Sequence, residues 1–328
     1  MENRLKSKYF CCAAALCAVM LTVGCQAERS ETPTKGRVTV VVSESVFPVM
    51  KKEEQTFEEL YPDAHVELQV ASAREAIARL FNDSITVIVS SRPLNAEERE
   101  VQKRTNLLLA EYKIALDGIA VIVNVSNSLT QLRTTQLDSI LSGRITTWNK
   151  AGSDFTSKIE LCLPSRNAGT FEVMVTKLMK GTDTVATPAA VARSSQEMID
   201  YVIEHPGAIG FVGTNWLNEN KDKVIVLELA NPDAPDSLGT RGKYFSPHQA
   251  YIYQRYYPLT RIIYIYSRAD NYGVGAGFTT FITSAPGQKI IQNNGLVPAT
   301  MPVRLVELTN KNLSNFQGLV LIRVNSQI

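Results

Sequence analysis

Past residue 23 the 328-residue chain has no apolar run near the roughly 20 residues that a membrane-spanning helix needs, so the rest is built to fold in water. Cysteine is scarce as well. Cys11, Cys12 and Cys17 fall in an N-terminal apolar segment and Cys25 just after it, which leaves Cys162 alone and gives the body of the chain no intramolecular disulfide. The three histidines, His65, His205 and His248, stand at no metal-ligand spacing to one another or to a cysteine, so no zinc site is written in the sequence. Neither a Gly-x-Ser-x-Gly elbow nor a Walker loop occurs, and no hydrolase or ATPase motif is therefore present. A surplus of one charge is missing too: 34 basic residues face 32 acidic ones, without a Lys/Arg cluster, and nothing invites a nucleic-acid backbone. The run Gly273-Val274-Gly275-Ala276-Gly277-Phe278 lacks the third glycine of a dinucleotide fingerprint and reads as a turn feeding a helix.

What is there begins with an export signal. Arg4, Lys6 and Lys8 precede an apolar run from Tyr9 to Val23 that ends in Leu21-Thr22-Val23-Gly24-Cys25, a pattern that makes residues 1–24 a signal peptide. A cysteine directly after a small residue at that point predicts lipoprotein processing, with Cys25 acylated as the first residue of the mature chain. Removal of the signal leaves 31 basic and 31 acidic residues, a neutral protein. Residues 25–36 are polar and without hydrophobic period, and read as a flexible stalk.

From Arg37 the chain alternates β-branched runs with amphipathic stretches. Strands are expected at Val38 to Val42, Val66 to Val70 and Ile85 to Val89, and helices at Val49 to Tyr61 and Arg74 to Phe81. This βαβαβ order favours a twisted, largely parallel sheet covered by helices. A charged helix (Ala96 to Arg104) follows, and then two runs, Asn106 to Ala115 and Gly118 to Asn124, separated by Leu116-Asp117. A second α/β unit comes next: a helix from about Thr130 to Ser142, a strand near Ile159 to Leu163, a helix after Thr170, another over Ser194 to His205 and the strand Ala208 to Val212. Ala230 to Pro247 reads as a long surface loop. The run Tyr257 to Tyr266 and two final helices read as a return to the first unit.

Small hydroxyl and glycine residues recur where strands hand over to helices: Ser43-Glu44-Ser45, Ala71-Ser72-Ala73, Ser90-Ser91-Arg92 and Ser165-Arg166-Asn167-Ala168-Gly169-Thr170. Each alone is what any helix start uses. Their recurrence at successive strand ends points to a ligand, because strand ends line the crevice of an open α/β sheet and helix N-termini offer unpaired N–H groups to an oxyanion.

These loops resemble those of the phosphate-binding proteins of bacterial ABC transporters, within the type II periplasmic binding-protein fold. The resemblance runs from about Arg37 to Glu307 and is also carried by Leu116 to Asn124, by Ile140-Leu141-Ser142-Gly143-Arg144-Ile145-Thr146-Thr147-Trp148-Asn149, by Gly207 to Val212 and by Tyr257-Pro258-Leu259-Thr260-Arg261. It implies an α/β fold of two lobes, each a mixed sheet flanked by helices, with the ligand cleft between them. The boundaries it suggests are residues 37–117 for the first part of lobe 1, 118–257 for lobe 2 and 258–310 for the return to lobe 1. Residues 311–328 form a tail that can add an edge strand.

By position, the resemblance makes Ser45, Ser72, Gly169 and Thr170 hydrogen-bond donors to an anion. The family often places an Asp where Ser91 stands, to accept the proton of hydrogen phosphate. Its arginine of the last loop falls on Pro164, and Ala168 replaces the serine. Arg92 and Arg166 are candidates to supply the cation, and Glu44 and Asp117 to supply the acceptor. The expected protein is a lipid-anchored, extracytoplasmic solute-binding protein of the cell envelope, a monomer without cofactor or metal and not an enzyme. It would capture phosphate or a related oxyanion and present it to ABC permease and ATPase subunits. Two other roles stay open: an anion sensor or buffer on the same fold, and a surface lipoprotein that contacts a macromolecule through the tyrosine-bearing stretch from Tyr244 to Tyr257.

Overall fold

Val40, Val41 and Val42 have no solvent exposure, because the opening strand is sandwiched between helices on both faces. In the computed structural model this strand is β1 (Gly36–Ser43), and a one-turn 3-10 helix (Glu44–Val46) leads from it into α1 (Phe47–Leu60). The described residues are 31–82, 85–179, 185, 188–269, 271–300, 304–307 and 319–322. The signal peptide and Cys25 lie outside them, as does most of the tail. At the end of the segment read as a stalk, Thr32 and Lys35 pair in a tight turn directly before β1.

The chain continues through β2 (Ala64–Ala71), α2 (Ala73–Phe81), β3 (Val87–Ser90), α3 (Ala96–Arg104) and β4 (Leu109–Asn124). Next come β5 (Gln131–Arg133), α4 (Thr134–Leu141), α5 (Trp148–Ala151), β6 (Glu160–Pro164), α6 (Gly169–Lys177), β7 (Ala190–Ala192), α7 (Ser195–Glu204) and β8 (Ala208–Gly213). After β9 (Val224–Val226), β10 (Glu228–Ala230), β11 (Tyr244–Phe245) and α8 (Gln249–Tyr253), β12 (Thr260–Arg268) returns to the first half. There α9 (Val274–Thr283), α10 (Ala285–Asn293) and β13 (Val297–Pro298) complete it. In the tail, Leu319–Ile322 pairs with Arg304–Glu307 in a separate two-stranded ladder.

The large sheet has the order β2-β1-β3-β12-β4-β8-β6-β7. Strands β1, β2 and β3 run parallel, as do β6, β7 and β8, while β12 and β4 are antiparallel to their neighbours. The result is the two-lobe α/β fold, with separate apolar cores on the two halves. Val40, Val42, Phe57, Ile265 and Phe278 belong to the first, and Val121, Leu137, Trp148, Ile209 and Phe211 to the second.

Strand β4 corrects the expectation of two runs. It is one 16-residue strand, with Leu116-Asp117 inside it. Its first part pairs with β12, up to Gly118 opposite Thr260, and from Ile119, opposite Gly213, its partner is β8. The handover occupies a single residue step. A carboxylate mid-strand looked like an interruption, but Asp117 is neutralised by Arg261, the residue opposite it on β12. A second correction concerns the helix expected from Thr130. Gln131–Arg133 pairs with β10 first, and the helix starts at Thr134.

The Ser-Gly-x-Ile-x-x-Trp run serves the second core. Gly143 takes a positive φ of 77° just past α4, and the fully buried Trp148 donates its indole N–H to the Gly207 carbonyl at 2.9 Å.

Cys162 sits in β6, buried among the side chains of α7 and β8. Burial, with a smaller contribution from Glu197, pushes its thiol up to about 11. At about pH 8 almost none of it is thiolate, and the peptide carrying Cys162 is expected to stay unmodified by a thiol reagent until denaturant is added. Mass spectrometry of the native, treated protein checks this, and modification without denaturant would contradict the burial.

Candidate functional site

Four strand ends meet at one cavity of about 250 Å³. β1 brings Ser43, Glu44 and Ser45, β2 brings Ala71 and Ser72, β3 brings Ser91, and the loop after β6 brings Ser165, Ala168 and Gly169. Parallel strands on each half put these C-terminal ends on the same side, facing each other across the lobes. The helices that start there, α2, α6 and α7, point their N-termini toward the cavity region, where unpaired amides and the aligned peptide dipoles favour a negative charge.

The hydroxyls are positioned in three ways. Ser72 is the N-cap of α2: its Oγ accepts from the Glu75 amide at 3.2 Å and keeps its own proton to donate. Ser43 Oγ accepts from the Ser91 amide at 3.2 Å, which fixes the third loop against the first. Ser91 Oγ is buried in the cavity wall and has no hydrogen-bond partner among the described residues. Burying a hydroxyl without a partner costs about 1–3 kcal/mol, so an unpaired hydroxyl in a cavity wall is suited to a ligand atom.

Gly169 has no side chain for a spatial reason. A Cβ there would lie 2.3 Å from Ser91 Oγ and 3.2 Å from the Ser91 carbonyl oxygen, so only glycine lets α6 come this close to the first lobe.

Glu44 reaches across the lobes. Its Oε1 accepts from the Ser195 amide at 2.7 Å and its Oε2 from the Ser195 hydroxyl at 3.0 Å, at the start of α7. Burial raises its pKa above the ordinary carboxylate value, while the two Ser195 hydrogen bonds and the charge of Arg261 pull the other way. Beside it, the side-chain N–H groups of Asn215 and Trp216 donate to the Ser45 carbonyl at 2.9 and 3.1 Å, and the Arg74 amide donates to the Asn167 carbonyl at 3.3 Å. The lobes are thus drawn together over the cavity.

Of the residues singled out from the sequence, the structure gathers Glu44, Ser45, Ser72, Ser91 and Gly169 around the cavity. It takes the other four elsewhere. Arg92 is buried, with its fork on Glu98 at 2.6 and 2.7 Å and its Nε on Glu172 at 2.8 Å, so its charge is satisfied away from the cavity. Arg166 stacks over the Phe171 ring at 5.6 Å, beside Asn167 on the outer flank of α6. Thr170 Oγ1 accepts from Arg261 at 2.9 Å. Asp117 is fully buried: one carboxylate oxygen accepts from Arg261 Nε and Nη2 at 2.9 and 2.7 Å, and the other from the Thr214 amide and hydroxyl at 3.1 and 2.7 Å. Its lone pairs are spent on the strand crossing, which corrects its place among the candidate acceptors.

Arg193, just past β7, lines the cavity and went unnoticed in the sequence. Its strand is only three residues long and gives a weak β signal, so no local pattern marks a strand end there. A larger cavity, about 530 Å³, lies on the other flank of α6 between Glu172, Lys177, Arg255 and Arg261. It is walled by the crossing strand and side chains of α6, not by converging helix starts. No group of three metal-ligating side chains occurs among the described residues, and no helix there is long and apolar enough to cross a membrane.

Comparisons with known proteins agree with this fold. A family model described as the PBP superfamily domain matches residues 27–286. The phosphate-binding protein PstS of Staphylococcus aureus strain MRSA252 is 26% identical over 304 residues, covering 90% of this chain and 89% of that protein. Its counterpart in strain USA300 is 26% identical over 267 residues, covering 80% and 78%. Among solved structures, a putative phosphate ABC transporter substrate-binding protein with bound phosphate from Clostridium perfringens superposes with a TM-score of 0.70 at 23% identity, over 80% of this chain and all of that one. An ABC-type phosphate transport receptor from Vibrio cholerae gives 0.61 at 24% identity, over 80% and 100%. At these identities the structural likeness speaks for the fold.

Proposed function

The chain belongs to the PBP superfamily, and on that premise we propose that it is an extracytoplasmic binding protein that captures phosphate, or a related tetrahedral oxyanion, for an ABC permease. It binds and releases its ligand unchanged and is not an enzyme. The observation that carries the reading is the meeting of β1, β2, β3 and β6 at one cavity, with the Ser91 hydroxyl buried there unpaired and helix N-termini around it. Ser45, Ser72 and Ser91, with the amides at the start of α6, donate to the oxygens. Closure of residues 118–257 over residues 37–117 and 258–310 removes water and strengthens each of these bonds. Acylation of Cys25 tethers the domain to the membrane, and the names of the staphylococcal relatives support phosphate as the ligand.

Calorimetric titration with phosphate, sulfate and a larger oxyanion, after exhaustive dialysis to strip carried-over anion, tests this. Saturable phosphate binding is expected, and silence toward every oxyanion would sink the reading. Within it, Glu44 is the acceptor that reads the ligand's proton, being the carboxylate that lines the cavity. Replacing Glu44 with Gln is expected to weaken hydrogen phosphate binding more than sulfate binding, since sulfate has no proton to give at neutral pH. Equal loss for both anions, or none, would remove Glu44 from that role.

A further inference from the structure

A cationic side chain strengthens an oxyanion site built from hydroxyls and amides. The sequence offers Arg92 and Arg166 for it, and the structure turns both away: Arg92 to Glu98 and Glu172, Arg166 onto Phe171. Among the residues lining the cavity a single cationic side chain remains, that of Arg193. Its guanidinium makes no ion pair or hydrogen bond with any described residue, so no protein carboxylate competes for it.

We infer that Arg193 is the cationic anchor of the anion site, supplied from the β7–α7 loop in place of an arginine in the β6–α6 loop. The inference rests on the oxyanion reading above and says which residue carries the charge in it.

The backbone there is built to hold such a group. The Arg193 amide donates to Glu197 Oε2 at 2.7 Å, and Ser194 Oγ caps α7 by accepting from the Glu197 amide at 3.1 Å. Those two bonds fix the backbone from which Arg193 extends, while its fork is left to reach an oxygen pair, the geometry in which arginine outperforms lysine. Two residues on, Ser195 donates twice to Glu44. One short loop therefore presents the cation and also clasps the carboxylate across the cleft, which places a positive and a negative group on the same cavity. That pairing suits an oxyanion that keeps a proton: its charged oxygens go to Arg193 and its hydroxyl to Glu44. Because the cation belongs to the second lobe and Ser45, Ser72 and Ser91 to the first, the ligand gains both sets of contacts only when the lobes are closed.

The test compares the full chain with R193Q, R193K and R166Q by phosphate calorimetry and by thermal unfolding without anion. A charge-assisted contact is worth about 1.5–3 kcal/mol, so R193Q is expected to weaken phosphate binding by about 10- to 150-fold. R193K should recover part of the loss, and R166Q should bind like the unmodified chain. Arg193 is exposed, so the anion-free unfolding temperature of R193Q should not move. R193Q binding phosphate as tightly as the unmodified chain, or R166Q showing the loss instead, overturns the assignment while leaving the oxyanion reading intact. Failure of the unmodified chain to bind any oxyanion would remove both.

Discussion

Replacing Asp117 with Ala is expected to destabilise the protein by about 3–5 kcal/mol, read as a drop in the urea midpoint with little change in slope. The cost comes from what is left behind. Arg261, whose side chain is 1% exposed, would lose its counter-ion, and Thr214 would lose the acceptor for its amide, its hydroxyl keeping only the Gly295 carbonyl at 3.3 Å. The pair is tightly enclosed, since a Cβ at Gly213 would lie 2.8 Å from Arg261 and 2.9 Å from Asp117. The double replacement D117L/R261M separates an unpaired charge from a general loss of packing, because exchanging a whole buried pair for apolar groups often costs little. Recovery of stability in the double variant is expected. A single D117A variant within the ordinary scatter of surface substitutions would show that the pair does not hold the crossing together.

The second large effect runs in the opposite direction. Glu53 sits on α1 in the same buried stripe as Val49, Met50 and Phe57, has no exposure, and finds no hydrogen-bond partner for either carboxylate oxygen among the described residues. Burial pushes its pKa up to about 9 from 4.5. The folded state then holds a proton that the unfolded state gives up, so stability falls as pH rises through that interval and is flat on either side. At about 1.4 kcal/mol per unit, roughly 3 kcal/mol is lost between pH 4.5 and 7. Glu53→Gln is expected to remove this slope and to be the more stable protein at neutral pH, with the gain widening toward about pH 9. Urea midpoints at about pH 5, 7 and 9 would decide it, and parallel pH profiles for the two proteins would refute it.

Most of the secondary structure was legible because it depends on local periodicity. The Val38 to Val42 and Val66 to Val70 runs, and the helix with Phe57, Leu60 and Tyr61 at helical spacing, appear within a residue or two of where the pattern puts them. What failed depended on partners distant in sequence. Asp117 reads as a break until Arg261, 144 residues away, is known to face it. Gln131–Arg133 reads as helix until β10 offers it a ladder. The site divides along the same line. Serines that cap or end an element are marked by their neighbours in sequence, as Ser72 is by α2. The direction of a long cationic side chain is set by whichever carboxylate is nearest in space, and no local pattern foretells that Arg92 goes to Glu98 and Glu172.

The single-residue handover on β4 has a mechanical consequence. To its one side the strand is braced by β12 and β13, to its other by β8 and β9, and between Gly118 and Ile119 the brace changes over. A plate that is broad at both ends and narrow in the middle twists at the narrow point, so torque applied to either half concentrates on that step and on the adjacent return at Leu259–Thr260, where the Leu259 carbonyl accepts from the Ile119 amide at 2.7 Å. The Asp117, Arg261 and Thr214 knot lies within a residue of it and ties both halves, acting as the spring of a torsion bar. Together with the Glu44–Ser195 bonds and the Asn215 and Trp216 bonds to Ser45 across the cleft, its stiffness would set the work needed to part the lobes.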